Sequence, residues 1–464
     1  MSYTLEQVAA AAGAPPPPSG AARTPITGYS LDSRSIQPGE IFVAVVGERF
    51  DGRAYVKAAL ERGAAGALVG REAGLNGAPP AAVDAPAGAP LVLVDDAPAA
   101  LQRLARWHRE QIRIPVFAVT GTNGKTTTKE VVAHVLAAQL PVCASVGNLN
   151  SQLGMPLTLL NRLRPEHRVG VFEVGMSARG EIARLCSILQ PDRGAVTNVG
   201  AAHTQFLGDV ENVFRAKSEL VEALPATGLL YLNAEDRYAT RMREKFAGQA
   251  RRVSLTDAAA DLRLELTSVD LNGVRGILHV AGESPRPLWI PIPGRHMAYP
   301  ALFAIAVARD LGLDLDASLA ALATCAPAKH RMQVTARGGV TIVDDCYNAN
   351  PMSTEALLDF VGGVTHPGRK LLVLGDMLEL GDLSLPSHRK ILERVSAAPG
   401  FARSWFVGPI YREAAAGLPL PESMTLVPDR EPVLAALKAD LRDGDLLVLK
   451  ASRGIGLDLL LEKL

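Results

Sequence analysis

Val116-Phe-Ala-Val-Thr-Gly-Thr-Asn-Gly-Lys-Thr-Thr-Thr128 is the stretch that decides the fold. An apolar strand runs into a glycine-rich turn, and a helix with Lys and Thr in its first turn follows at once. Glycines let backbone N–H groups curl around phosphate oxygens, and a helix N-terminus adds a favourable dipole. Gly121, Thr122, Asn123, Gly124, Lys125, Thr126 and Thr127 are therefore the expected nucleotide-phosphate set. Lys125 can reach the terminal phosphates, and the Thr126 hydroxyl can bind Mg²⁺. Val119 stands where the strict pattern has its first glycine. Strand, loop and helix in the right order argue against a chance Gly-Lys-Thr. Such a loop does not say what the nucleotide is for. No Asn-Lys-x-Asp guanine motif occurs, which turns the reading away from a GTPase.

Outward from the loop, apolar strands alternate with helices. Strands are expected at 169–174, 194–199 and 229–232, with helices at 125–138 and 212–224. That alternation means βαβ units and a mostly parallel sheet. Residues 262–280 alternate apolar and polar instead, suggesting an antiparallel extension. Before the loop, strands at 40–46 and 91–94 and helices at 54–62 and 99–110 make a small α/β domain. After Ala326 a third α/β series has strands at 340–344, 370–374, 405–407 and 446–450. The expected architecture is α/β in three domains, 1–113, 114–326 and 327–464, the central one a phosphate-loop domain.

A chain of 464 residues is too long for one ordinary core, which agrees with two or three domains. Acidic and basic residues number 48 each, so no bulk field attracts nucleic acid or an anionic membrane. Cys143, Cys186, Cys325 and Cys346 form no C-x-x-C pair and are expected to be buried, reduced thiols. The N-terminal region lacks a basic stretch followed by an apolar one, and the apolar run 301–308 is too short to span a bilayer. The expectation is a cytoplasmic monomer with no nucleic-acid partner and no membrane insertion. The Ala- and Pro-rich stretches 14–22 and 78–90 read as loops or linkers.

Three further residues have the right chemistry. Glu173 ends an apolar strand, where parallel sheets place ligands, and could hold Mg²⁺. His203 lies in a loop after the next strand, and Lys217 lies within a helix. Singly, a loop histidine and a helix lysine are weak signals.

Together, Gly121-Thr-Asn-Gly-Lys-Thr-Thr127, Glu173-Val-Gly175, His203 and Ala216-Lys-Ser-Glu219 resemble the Mur ligases of peptidoglycan synthesis. Supporting stretches are Asp32-Ser-Arg34, Gly39-Glu-Ile-Phe-Val-Ala44 and Gly147-Asn-Leu-Asn-Ser-Gln-Leu-Gly-Met-Pro156. Further on come Pro293-Gly-Arg-His296, Asp344-Asp-Cys-Tyr-Asn-Ala-Asn-Pro351, Gly375-Asp-Met377 and Lys450-Ala-Ser-Arg453. The likeness is strongest to the members that use ATP to join D-alanyl-D-alanine to UDP-N-acetylmuramoyl-tripeptide. It implies a UDP-sugar domain, a central ATPase domain and a C-terminal Rossmann-like domain. It also implies that ATP activates the tripeptide carboxylate as an acyl phosphate.

The resemblance assigns roles. Lys125 neutralises the β/γ-phosphates, and Thr126 and Glu173 hold one Mg²⁺. His203 and Lys217 serve a second metal, Lys217 as a carbamate formed with CO₂. Arg331 brings positive charge to the phosphates, and Asp345 and His296 belong to the nucleotide site. Ser33, Arg34, Asn148, Asn150, Asn348 and Asn350 bind the two substrates. The chain departs from the family at Met297 and Pro300, where asparagines are usual, and at Arg53, where a histidine is usual. The neighbouring family member that adds the third peptide residue usually carries Asp-Tyr-Ala-His-Asn-Pro where this chain has Asp345-Cys-Tyr-Asn-Ala-Asn-Pro351. The rival from another class is a nucleotide-regulated binding protein.

Overall fold

The apolar run ahead of the glycine turn is a strand, Val116–Thr120, buried along its whole length. A strand covered on both faces reads as an unbroken apolar run because every side chain enters a core. A computed structural model describes all residues except 1–2, 48–49, 79–82, 148 and 398–399. Asn148 and part of the Pro-rich 78–90 stretch therefore lie outside the described residues. The chain clusters into two compact units. The first comprises Met1–Ala118, Leu140–Gly175 and Glu181–Pro191, and the second Val119–Gln139, Met176–Gly180 and Asp192–Leu464.

In the first unit, Gly28–Ser30, Glu40–Ala44, Gly66–Gly70 and Leu91–Val94 form a four-stranded parallel sheet in that order. Gly66–Gly70 was not expected as a strand because glycines bracket it. It is nonetheless fully buried, and a Cβ on Gly66 would stand 2.5 Å from the Pro90 carbonyl oxygen. The helix Ala97–Gln111 starts where the Asp96 carboxylate accepts the Ala99 N–H at 2.6 Å, and it packs on the helix Gly154–Arg162. From that second helix the Asn161 amide bonds both the N–H and the C=O of Tyr29, each at 2.8 Å, as a neighbouring strand would. Val142–Ala144 pairs parallel with Val169–Glu173, and Gly170 N–H donates to the Pro115 carbonyl at the head of the loop strand.

In the second unit, Arg193–Val196, Leu229–Asn233 and Gln249–Ser254 run parallel, and Leu262–Asp270 joins them. The expected antiparallel extension is present as Leu262–Asp270, Gly273–Val280 and Arg286–Ile290. The helix Lys125–Ala137 packs on Ala298–Asp310, whose apolar residues 301–308 are all buried; that run is core rather than surface. Residues from 333 onward form a six-stranded sheet in the order Gln333–Arg337, Val340–Asp345, Leu446–Lys450, Lys370–Gly375, Arg403–Val407, Met424–Val427. Only its first pair is antiparallel. Among the described residues no helix is long and apolar enough to cross a membrane. All four cysteines are free and buried.

Arg53 is 1% exposed. Its guanidinium forks onto Asp51 at 2.9 and 2.6 Å and donates to the Glu72 carbonyl at 2.8 Å. This chain thus uses Arg53 as a buried tie between Asp51 and the turn after Gly66–Gly70. Removing one partner of such a pair leaves the other charge unpaired, at a cost of about 3 kcal/mol. Arg53→Met should therefore lower the urea unfolding midpoint, and Asp51→Asn in the same chain should recover part of the loss. An unchanged midpoint for Arg53→Met would show that the tie carries no stability.

Candidate active site

The phosphate loop is held by a segment the sequence reading missed. The strand expected over 194–199 ends at Val196, because the residues after it turn their polar groups onto the loop. Thr197 N–H donates to the Thr120 carbonyl at 3.0 Å, and its hydroxyl donates to the Asn123 carbonyl at 2.6 Å. Asn198 accepts the Thr122 N–H on its backbone oxygen and the Asn123 N–H on its side-chain oxygen, both at 2.9 Å. The Thr122 hydroxyl accepts the Gly200 N–H at 2.9 Å. The signal for this clamp was the polar Thr197-Asn-Val-Gly200 at a strand's C-terminal end, where open α/β sheets build their sites.

Glycine is required inside the clamp. Gly121 has φ +149°, and a Cβ there would sit 1.8 Å from the Thr197 hydroxyl oxygen. Gly124, at φ +80°, turns the chain into the helix Lys125–Ala137.

Two lysines meet on one carbonyl. Lys125 Nζ donates to Gly121 O at 2.9 Å and Lys217 Nζ to the same oxygen at 2.8 Å. Lys217, which composition alone would place in solvent, is 2% exposed inside the helix Val210–Ala223. His203 lies close enough to feel both. Burial pushes its imidazole below the ordinary range, Lys125 and Lys217 push the same way, and Glu379 opposes them. The Glu379 carboxylate stands 2.7 Å from His203 Nδ1. Gln205 N–H donates to the Glu379 carbonyl at 3.2 Å and the Thr204 hydroxyl to the Leu380 carbonyl at 2.9 Å. The 203–205 loop is thereby pinned to the 379–380 loop.

The C-terminal segment also reaches the phosphate loop. Arg331 donates to the Thr126 hydroxyl at 3.0 Å. The amides of Asn350 and Asn123 pair reciprocally at 2.7 and 3.2 Å, while Asn350 also caps the helix Pro351–Gly363. Asn350, expected at the substrate, thus has its amide on the loop. Asp345 accepts the Met332 N–H at 3.2 Å and pairs with the buried Lys450, which also donates to the Asn348 carbonyl at 3.0 Å. Burial holds the His296 imidazole below its ordinary range, with Asp345 raising it and Lys450 lowering it further. Met297 is buried, as is Pro300 in the first turn of Ala298–Asp310.

The first unit carries the other expected residues. Glu173 is 2% exposed and accepts from the Asn150 amide at 2.6 Å. Ser33 is buried; Arg34 is exposed and forks onto Asp32 at 2.9 and 2.8 Å, holding that carboxyl down at about 2. The structure thus brings Lys125, Thr126, His203, Lys217, Arg331 and Asn350 to one loop in the second unit, and Asn150 to Glu173 in the first.

Among the described residues no three His, Cys, Asp or Glu side chains gather into a ready-made metal cage. The Thr126 hydroxyl in the second unit and the Glu173 carboxylate in the first are each of a donor type that Mg²⁺ accepts, an ion that keeps waters and takes phosphate oxygens as ligands. A lysine ammonium does not ligate a cation, so Lys217 fits a metal only in an altered charge state.

Comparison with known proteins identifies the family. Residues 25–109 match the Mur ligase family catalytic domain, 119–308 the Mur ligase middle domain and 330–453 the Mur ligase glutamate ligase domain. The UDP-N-acetylmuramoyl-tripeptide--D-alanyl-D-alanine ligase of Bacillus subtilis is 32% identical over 94% of this chain and 92% of its own length. A crystal structure of MurF from Acinetobacter baumannii superposes with a TM-score of 0.88 at 27% identity, covering 100% of this chain and 98% of that one. A MurF ligase from Thermotoga maritima, solved in complex with ADP, gives a TM-score of 0.80 at 26% identity over 94% of this chain and 96% of that one.

Gly121→Ala should disrupt the clamp. With a Cβ driven into Thr197, nucleotide affinity should fall by at least ~10-fold, read by calorimetric titration of ADP. Wild-type affinity in a folded variant would refute the clamp.

Proposed function

The chain belongs to the Mur ligase family, and from that premise we propose that it joins D-alanyl-D-alanine to the terminal carboxylate of UDP-N-acetylmuramoyl-tripeptide, converting ATP to ADP and phosphate as the peptidoglycan precursor is built. The observation that carries this is the convergence of Lys125, Lys217 and Arg331 on the phosphate loop. Lys125 and Arg331 bring two cationic side chains to one helix N-terminus, where a triphosphate's charge would sit, and developing charge on a transferring phosphoryl group is what such groups stabilise.

The chemistry follows from the inertness of a carboxylate toward amines. A carboxylate oxygen attacks the γ-phosphorus and the bond to ADP breaks, leaving an acyl phosphate. The neutral amine of D-alanyl-D-alanine attacks its carbonyl carbon; the C–O bond breaks, phosphate leaves and the nitrogen loses a proton. Lys125 and Arg331 hold the transferred group in line, so that most of the rate comes from positioning. We assign the Thr126 hydroxyl and the Glu173 carboxylate each as a ligand that would hold Mg²⁺, and His203 as a ligand that would hold a second Mg²⁺. When bound, the ion neutralises phosphate charge. Lys217 is assigned as a carbamate: its neutral amine adds to CO₂ with loss of a proton and becomes an anion. Asp345 and His296 are assigned to the nucleoside, and Ser33, Arg34, Asn150 and Asn348 to the substrates. We draw the domains at 1–113, 114–326 and 327–464, and place the reaction in the cytoplasm, where ATP and nucleotide-activated sugars are made.

Phosphate release should depend on both UDP-N-acetylmuramoyl-tripeptide and D-alanyl-D-alanine, and an assay with tripeptides ending in lysine, ornithine or diaminopimelate should identify the accepted residue. Slow ATP hydrolysis indifferent to the dipeptide would point instead to a nucleotide-regulated binding protein. Lys125→Ala should lower kcat by ~100-fold or more with the fold intact. Lys217→Ala should be nearly inactive and partly restored by acetate or formate. Wild-type turnover in Lys217→Ala would make the residue a structural support of the loop.

A further inference from the structure

Arg331 reaches the phosphate loop from a short turn whose construction the proposed reaction has not yet explained. Its guanidinium carbon lies 3.7 Å from the centre of the Tyr347 ring, face-on, while one of its nitrogens donates to the Thr126 hydroxyl at 3.0 Å. A planar, weakly hydrated guanidinium stacks on an aromatic face where an ammonium does not.

The turn is over-determined around it. His330 and Met332, the residues on either side, both sit in the left-handed region at φ +59° and +51°. Non-glycine residues stay there only when their surroundings hold them. The holding groups come from the strand end that carries the tyrosine. The Asp344 carboxylate lies 2.6 Å from His330 Nδ1, Asp345 accepts the Met332 N–H at 3.2 Å, and Tyr347 N–H donates to the His330 carbonyl at 3.0 Å. Asp458 adds a second carboxylate at 3.7 Å from the far side of His330. Residues 344–347 therefore grip the backbone on both sides of Arg331 while the ring fixes its side chain.

We propose that Tyr347 is a positioning residue of the ligase reaction, its ring holding the Arg331 guanidinium flat and aimed at the phosphate loop. The inference rests on the reading of Arg331 as a phosphate-directed cation. Tyr347 acts through Arg331, and what it supplies is an aromatic face rather than its hydroxyl or its bulk.

The test is a kinetic cycle on the full chain with ATP, UDP-N-acetylmuramoyl-tripeptide and D-alanyl-D-alanine. Tyr347→Leu, which keeps apolar volume without the face, should lower kcat about tenfold and leave KM for both peptide substrates within about twofold. Tyr347→Phe should recover most of that loss. In an Arg331→Ala background, Tyr347→Leu should produce no further decrease. Equal activity of the Leu and Phe variants, or losses that multiply in the double variant, overturns the positioning role while leaving Arg331 in place. Wild-type turnover in Arg331→Ala overturns the reading of Arg331 itself, and the role of Tyr347 falls with it. Should Tyr347→Leu fold poorly, Tyr347→Met serves the same comparison, with thermal melting as the check.

Discussion

The clamp that the 197–200 segment closes on the phosphate loop is the constraint from which the second unit's site is built. A glycine-rich loop has little conformational preference of its own, and fixing its backbone is entropically unfavourable. Here Thr197 and Asn198 engage Thr120, Thr122 and Asn123, so the directions of the loop's carbonyls and amides are fixed by protein groups. One result is the buried carbonyl acceptor of Gly121, shared by Lys125 and Lys217. Sequence separation between the two lysines is large, yet a single carbonyl sets their spacing.

The C-terminal segment completes that arrangement with groups of different stiffness. Asn350 is tied reciprocally to Asn123 and capped into a helix start. Glu379 meets His203 across two loops whose residues both adopt left-handed backbone, φ +64° and +57°. Behind Glu379 the chain is anchored in a buried interior, where His388 accepts the Met377 N–H at 2.9 Å and Asp376 accepts the N–H groups of Ile410 and Tyr411 at 3.0 and 2.9 Å. Buried polar groups satisfied this fully act as rigid supports.

Much of the architecture was legible because the relevant strands are buried on both faces. Val116–Thr120, Val169–Glu173 and Leu446–Lys450 are buried end to end and apolar up to a polar last residue, and the alternation over 262–280 announced its antiparallel pair. What escaped was written in residues that carry no periodicity. Gly66–Gly70 is a core strand bracketed by glycines, and Gln249–Ser254 carries two arginines, one of them neutralised by Asp310 at 2.9 Å. Gln333–Arg337 is a polar edge strand whose pairing depends on its neighbour. In each case the environment overrode local propensity.

By itself the sequence determined the chemistry on offer: a strand, a glycine turn, a lysine and a threonine in the order a phosphate needs, with a strand-end carboxylate and the family's remaining motifs in register. Those features are local, and local geometry follows from a few consecutive residues. The tertiary structure decided what the isolated side chains are for. It buried Lys217 against a carbonyl 96 positions away, turned Arg53 into a structural tie, placed Asn350 on the loop and laid Arg331 on Tyr347. A lone lysine, histidine or arginine has no preferred partner in one dimension. Its charge acquires meaning only when packing removes water and leaves one specific group within about 3 Å.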